Sequence, residues 1–158
     1  MTRPLALTSG EPAGIGPDIT LAAWLRRDAL KLPPFYVIAD PDLLKRRAKT
    51  LGLDVPIETV TPAKAASVFA RALPVAPLGL PATADPGKPD DTSAPAAIGS
   101  IDRAVADVTD GLAAAVVTNP IAKNVLYKYG FADPGHTEYL ARLSFEKSGD
   151  PAWPVMMF

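Results

Sequence analysis

The chain has 158 residues, of which 48% are hydrophobic and 21% charged; 16 lysines and arginines face 17 aspartates and glutamates, for a formal net charge of −1, and there is no cysteine. This length supports one compact domain that buries roughly two thirds of its unfolded surface, and the composition is that of an ordinary globular protein rather than a disordered or membrane-spanning one. The charge balance excludes a broad basic footprint for nucleic acid or for an acidic membrane surface, while the absent cysteines exclude a disulfide framework, a thiolate zinc site and a cysteine nucleophile.

Met1-Thr-Arg-Pro-Leu5 lacks the apolar run of a signal peptide, and no apolar window approaches a membrane span, so a cytoplasmic protein is expected. Pro4-Leu-Ala-Leu-Thr8 is short and apolar enough for a first strand. It runs into Ser9-Gly-Glu-Pro-Ala-Gly-Ile-Gly-Pro-Asp18, and residues 19–27 then carry apolar side chains on a helical face, with Leu21, Trp24 and Leu25 as core contacts. Phe35-Tyr-Val-Ile-Ala39 is the clearest second strand. Asp40 caps the next helix, Pro41 fits its first turn, and Gly52 ends it; the basic residues Lys45, Arg46, Arg47 and Lys49 read as a solvated end that complements the helix dipole. This β-α-β-α order predicts an α/β fold of three layers, with a largely parallel sheet covered by helices on both faces.

Residues 55–60 suggest a third strand, which Pro56 confines to an edge or to a short run. A helix around 64–71 and an apolar stretch over 73–78 follow. Proline, glycine, aspartate, serine and threonine dominate 79–95, a surface loop or interdomain connector. Helix returns over 96–110, where Ile98, Ile101, Val105 and Val108 are spaced for one buried face. Gly111 closes it and launches Leu112-Ala-Ala-Ala-Val-Val-Thr118, which reads as a buried strand. After a turn at Asn119-Pro120, a short helical segment and a stop at Gly130 comes Asp133-Pro-Gly-His-Thr-Glu138, with the single histidine of the chain. A second helix over about 137–147 follows, and Trp153-Pro-Val-Met-Met-Phe158 starts another apolar strand. A chain that finishes on such a strand, with nothing left to cover it, reads as a fragment.

Three motifs carry chemistry or its appearance. Gly14 and Gly16 after a first strand, with Asp40 ending the second, invite a dinucleotide-binding reading. The match is poor: Ile19 stands where the third glycine belongs, no Gly-Lys-Ser/Thr follows, and Asp40 is accounted for as a helix cap, so a structural or substrate-facing turn is favoured. Glu11 either serves a site or balances the turn. The second motif surrounds His136: Thr137 is a natural N-cap and Glu138 an early-turn carboxylate, so free N–H groups, a hydroxyl and an imidazole that titrates near neutral pH gather as donors for a phosphate or carboxylate. One histidine without clustered partners gives too few ligands for a metal. Lys123, just beyond the strand end at Thr118, is better taken as solvated helix surface than as a ligand in the crevice. Ser9 and Ser144 have no locally positioned histidine, so a hydrolase triad is not supported.

Taken together, Thr8-Ser-Gly-Glu-Pro-Ala-Gly-Ile-Gly-Pro-Asp18, Thr118-Asn-Pro-Ile-Ala-Lys123 and Gly135-His-Thr-Glu-Tyr-Leu-Ala141 resemble the 4-hydroxythreonine-4-phosphate dehydrogenase family of vitamin B6 biosynthesis. The resemblance spans essentially the whole chain but only about the first half of a family member, so residues 1–158 correspond to the N-terminal portion of a two-domain α/β enzyme similar to the isocitrate and isopropylmalate dehydrogenases. It implies oxidation of 4-phosphooxy-L-threonine with NAD, followed by loss of carbon dioxide to give 3-amino-2-oxopropyl phosphate, by a homodimer with its active site at the subunit interface. The family's substrate-binding histidine and threonine carry over to His136 and Thr137. Its divalent metal (Zn, Mg or Co) is bound by histidines beyond this chain, as are most NAD contacts, so catalysis is expected of the longer parent and not of this segment. The rival expectations are a dehydrogenase of a phosphorylated sugar acid or cyclic diol, and a non-catalytic phosphate-binding module.

Overall fold

Strand and helix alternate from Leu5 onward. The computed structural model describes residues 3–150 and 153–157. Its elements are β1 (Leu5–Thr8), α1 (Gly16–Leu25), β2 (Phe35–Ala39), α2 (Pro41–Leu51), β3 (Ile57–Thr59), one 3-10 turn (Pro62–Lys64) leading into α3 (Ala65–Val68), β4 (Leu73–Pro77), α4 (Ser93–Thr109), β5 (Val116–Val117), α5 (Lys123–Lys128) and α6 (His136–Ser148). The strands form one parallel sheet in the order β3-β4-β2-β1-β5, with β1 matched to β2 from Leu5↔Phe35 to Thr8↔Ile38 and to β5 at Ala6↔Val116 and Leu7↔Val117. Among the described residues no helix is long and apolar enough to cross a membrane.

The three layers follow from which side chains each strand turns up or down. Leu7, Phe35 and Val37 pack with Leu21 and Trp24 of α1 and Leu44 of α2 on one face. On the other, Ala6, Tyr36 and Ile38 meet Val68 of α3 and Ala104 of α4. Because both faces are covered, all five residues of β2 are buried, which is why its sequence is an unbroken apolar run rather than an alternation. Behind α4 lies a third cluster, in which Ile101 and Val105 pack on Leu126, Phe131, Tyr139 and Leu143. There Phe131 and Tyr139 meet edge to face at 4.9 Å, and the Tyr139 hydroxyl donates to Asp102, so α6 is locked to α4 near its first turn.

Local signals behave as the sequence predicts at α2. Asp40 accepts from the Asp42 N–H at 2.9 Å, Pro41 occupies the first helical position, and Gly52 takes a left-handed φ of 64° to end the helix. Elsewhere the structure corrects the expectation. Leu25 is 39% exposed, while Trp24 is buried, its indole N–H donating to the Phe69 carbonyl. The helix expected from residue 96 begins at Ser93, since Asp90 organises the preceding turn by accepting from the Thr92 N–H. The loop before it is tied back by Ala82 N–H to Asp40 and by Gly87 N–H to the Ala13 carbonyl.

The expected buried strand over 112–118 shrinks to two residues at the edge of the sheet, with Leu112 and Val117 about 40% exposed, because among the described residues only β1 flanks it. Residues 153–157 form no strand, and Phe158 lies outside the described residues. Arg47, expected to be solvated, is 4% exposed.

Between β2 and α4 the fully buried Tyr36 hydroxyl donates to Asp107 at 2.8 Å, and Arg103 donates to the other carboxylate oxygen at 2.7 Å. Burial, reinforced by that carboxylate, raises the Tyr36 pKa well above the ordinary phenol value, so the hydroxyl keeps its proton. Tyr36→Phe leaves one buried carboxylate oxygen without its donor and is expected to lower unfolding free energy by about 1.5–3 kcal/mol. Urea denaturation checks this; a loss under about 0.5 kcal/mol contradicts it.

Candidate functional site

The glycine-rich turn closes on Asn119. This side chain is 4% exposed; its amide donates to the Thr8 carbonyl at 2.9 Å and to the Thr20 hydroxyl at 2.8 Å, while its backbone N–H donates to the Thr8 hydroxyl at 3.0 Å. Gly10, at φ 67°, and Gly16 are required by this approach. A Cβ on Gly10 would stand 2.6 Å from the Pro120 carbonyl oxygen, and one on Gly16 2.6 Å from that of Ser9. From the other side Arg47 donates to the carbonyls of Gly14 and Pro12 and pairs with Asp18 at 2.8 Å. The space a pyrophosphate would need at these glycines is filled by protein, so the turn does not fit the dinucleotide cradle.

Glu11 is 5% exposed, and one of its oxygens accepts from the Ala13 N–H at 3.1 Å, which gives the carboxylate a turn-stabilising role; its second oxygen has no partner among the described residues. Ser9 is also absorbed by structure, its hydroxyl donating to the Gly10 carbonyl and packing against Ser100.

The chain leaving Asn119 and Pro120 forms α5 and returns to the corner that holds the histidine. Here the sequence reading of the cap is corrected. The N-cap is Gly135, not Thr137: its extended backbone, φ 179° and ψ −167°, lets the helix begin at His136 and makes Thr137 the second helical residue. Among the described residues no side chain caps this end. Lys123, an exposed residue, lays its ammonium over Gly135, 3.4 Å from where a Cβ would be, and the Glu138 carboxylate reaches within 3.6 Å of the same point.

Burial, and after it the Lys123 charge, lowers the pKa of His136, so the ring is neutral at pH 7; its Nε2 is buried without a partner among the described residues. The corner therefore combines an ammonium, a neutral imidazole, the Glu138 carboxylate and free N–H groups at the positive end of a thirteen-residue helix. Thr137 lies against a shallow crevice of about 330 Å³ lined also by Leu140, Ala141, Trp153, Pro154 and Val155, a lining that does not include His136.

The structure thus brings His136 together with Lys123, which sequence reasoning set aside as solvated surface; no local pattern links the two, because the contact depends on the loop from α5 to α6. Arg47 did have a signal. It shares the helical face of Leu43, Leu44 and Ala48, the buried residues of α2. No cluster of three or more His, Asp or Glu side chains able to hold a metal ion occurs among the described residues, so no metal-dependent step is assigned to them.

The sequence model of the family described as pyridoxal phosphate biosynthetic protein PdxA matches residues 31–158. The chain belongs to the PdxA family. A 4-hydroxythreonine-4-phosphate dehydrogenase of Bradyrhizobium diazoefficiens is 58% identical over 98% of this chain and 47% of its own length, and one of Methylorubrum populi is 55% identical over 98% and 45%. The crystal structure of a 4-hydroxythreonine-4-phosphate dehydrogenase from Burkholderia phymatum superposes with a TM-score of 0.76 at 27% identity, covering 90% of this chain and 44% of that one. The chain spans about half the length of the curated PdxA relatives it matches.

A single histidine makes the corner directly measurable, since one imidazole proton resonance reports it. His136 is expected to titrate below the free value of about 6.5, and Lys123→Met to raise its pKa while leaving the fall caused by burial. The sign for stability follows: a lowered folded pKa favours the neutral ring, so this contribution is complete above about 6.5 and is lost as pH drops from there through the folded pKa. A titration at or above 6.5 in the native chain contradicts the described environment.

Proposed function

We propose that this chain is the N-terminal half of a cytoplasmic, NAD-dependent and metal-assisted dehydrogenase. The full-length protein would oxidise and decarboxylate 4-phosphooxy-L-threonine to 3-amino-2-oxopropyl phosphate in pyridoxal phosphate biosynthesis. The observation that carries the reading is the corner at Gly135, where the Lys123 ammonium, the His136 imidazole and the uncapped start of α6 converge, within a member of the PdxA family. The names borne by relatives at 58% and 55% identity supply the substrate.

In this reading His136 and Thr137 bind the anionic substrate. A neutral imidazole donates one hydrogen bond without adding a second full charge beside Lys123, and the helix-start N–H groups donate the others. The metal ligands and the principal NAD contacts are assigned to polypeptide outside this chain, as the family resemblance implies; among the described residues there is no cluster of three or more metal-ligating side chains. Turnover, and the homodimer that the resemblance implies, are assigned to the longer protein.

The test uses the polypeptide extended to the length of its relatives. His136→Ala is expected to weaken binding of 4-phosphooxy-L-threonine by about tenfold or more in calorimetric titration, with the bound-metal content unchanged in elemental analysis. Unaltered affinity contradicts the role given to His136. Tighter binding of a phosphorylated sugar acid than of 4-phosphooxy-L-threonine contradicts the substrate assignment.

A further inference from the structure

The loop over residues 131–135 delivers His136 to its corner with little backbone bonding of its own. Its first residue is anchored: the Phe131 N–H donates to the Leu126 carbonyl at 3.0 Å, and the ring meets Tyr139 edge to face. Residues 132–134 then make no backbone-to-backbone hydrogen bond among the described residues. Such a segment takes its position from side-chain contacts.

The contact that supplies it comes from α6 itself. Arg142 donates through Nε to Asp133 Oδ1 at 3.2 Å and through Nη2 to Oδ2 at 2.7 Å, so the guanidinium fork engages both carboxylate oxygens. Its remaining nitrogen donates to Glu146 at 2.8 Å, and the planar group lies 4.9 Å over the Tyr139 ring. Tyr139 is buried and donates to Asp102 of α4, so a continuous set of contacts runs from α4 through Tyr139 and Arg142 to Asp133, three residues before His136. From α5, which carries Lys123, the Tyr127 hydroxyl donates to the Pro134 carbonyl of the same loop at 3.2 Å.

An isolated surface ion pair contributes little. This one is bidentate and backed by a ring, and the Asp133 side chain is only 13% exposed. By contrast Arg71 and Glu58, 62% and 42% exposed, pair at the far edge of the sheet. The charge engaged also matters. Glu138 already brings one carboxylate to the start of α6; an unpaired Asp133 would bring a second and oppose an anion there.

We propose that Arg142 is a positioning residue for the anion site: by gripping Asp133 it sets the loop that presents His136, Thr137 and the free N–H groups of α6 beside Lys123. It acts through His136 and not on the substrate. The inference rests on the substrate-binding role proposed for His136, whereas the clamp itself is independent of which anion binds.

In the 158-residue chain, Arg142→Gln is expected to raise the His136 pKa toward the free value of about 6.5, because the released loop admits water to the ring and lets Lys123 move away. In the polypeptide extended to the length of its relatives, the same change is expected to weaken binding of 4-phosphooxy-L-threonine about tenfold in calorimetric titration. In a His136→Ala background it adds less than about twofold. A loss of general stability would weaken both backgrounds alike. Arg142→Lys keeps the charge without the fork and is expected to behave as Arg142→Gln does. Arg71→Gln, which breaks the pair at the far edge, changes neither readout. Urea denaturation verifies that each variant folds, and Asp133→Asn tests the clamp from the loop side should Arg142→Gln fail to do so. An unchanged His136 titration, fully additive losses in the His136→Ala background, or full rescue by Arg142→Lys overturns the proposal. If the native extended protein does not bind 4-phosphooxy-L-threonine, the substrate assignment fails and the His136 titration alone decides the role of Arg142.

Discussion

The buried amide of Asn119 is the constraint on which the rest of this chain depends. Its side-chain N–H groups bind the end of β1 and the Thr20 hydroxyl, and that hydroxyl in turn donates to the Gly16 carbonyl at 2.9 Å, giving a short relay from sheet edge to helix start. In a site from which water is excluded each such bond is strong, and each unmade one costs about 1–3 kcal/mol. The glycines around it are consequences of that contact: side chains at Gly10 or Gly16 would hold the amide away. By joining the first strand to the turn after the fifth, Asn119 sets where the chain departs toward α5, and so where Lys123 and the start of α6 come to lie.

Much of the architecture is legible in the sequence because it is written in local chemistry. β1 and β2 announce themselves as short apolar runs, and α2 carries a cap, a first-turn proline and a terminating glycine within its own span. β4 is harder to read, since Pro74 and Pro77 argue against a strand. Pro74 is tolerated because it precedes Val75, the first residue paired with β2, while Leu73 donates to the Pro56 carbonyl. β5 misleads in the opposite direction. Its alanine and valine run has the composition of a buried strand, but composition does not say whether a neighbour exists to cover it.

The candidate site was legible only in part. A lone histidine after Pro-Gly at a helix start is a strong local signal, and the structure adds that Gly135 rather than Thr137 begins the helix. Lys123 belongs to a different helix, and its approach to Gly135 arises from packing of α5 and α6 against α4, a tertiary event. Arg47 teaches the complementary lesson. Charge suggested solvent, but its position on the apolar face of α2 placed the guanidinium under the glycine-rich turn, where carbonyls and Asp18 satisfy it.

The most direct measurement is residue-resolved amide hydrogen exchange of Asn119→Ala against the native chain. The account predicts that protection falls first at Glu11, whose N–H donates to the Pro120 carbonyl, and at Ala6 and the β5 segment, while β2 and β4 keep theirs. Unchanged exchange at Glu11 and β5 in the variant would contradict the claim that this one amide holds the turn, the sheet edge and the histidine corner in register.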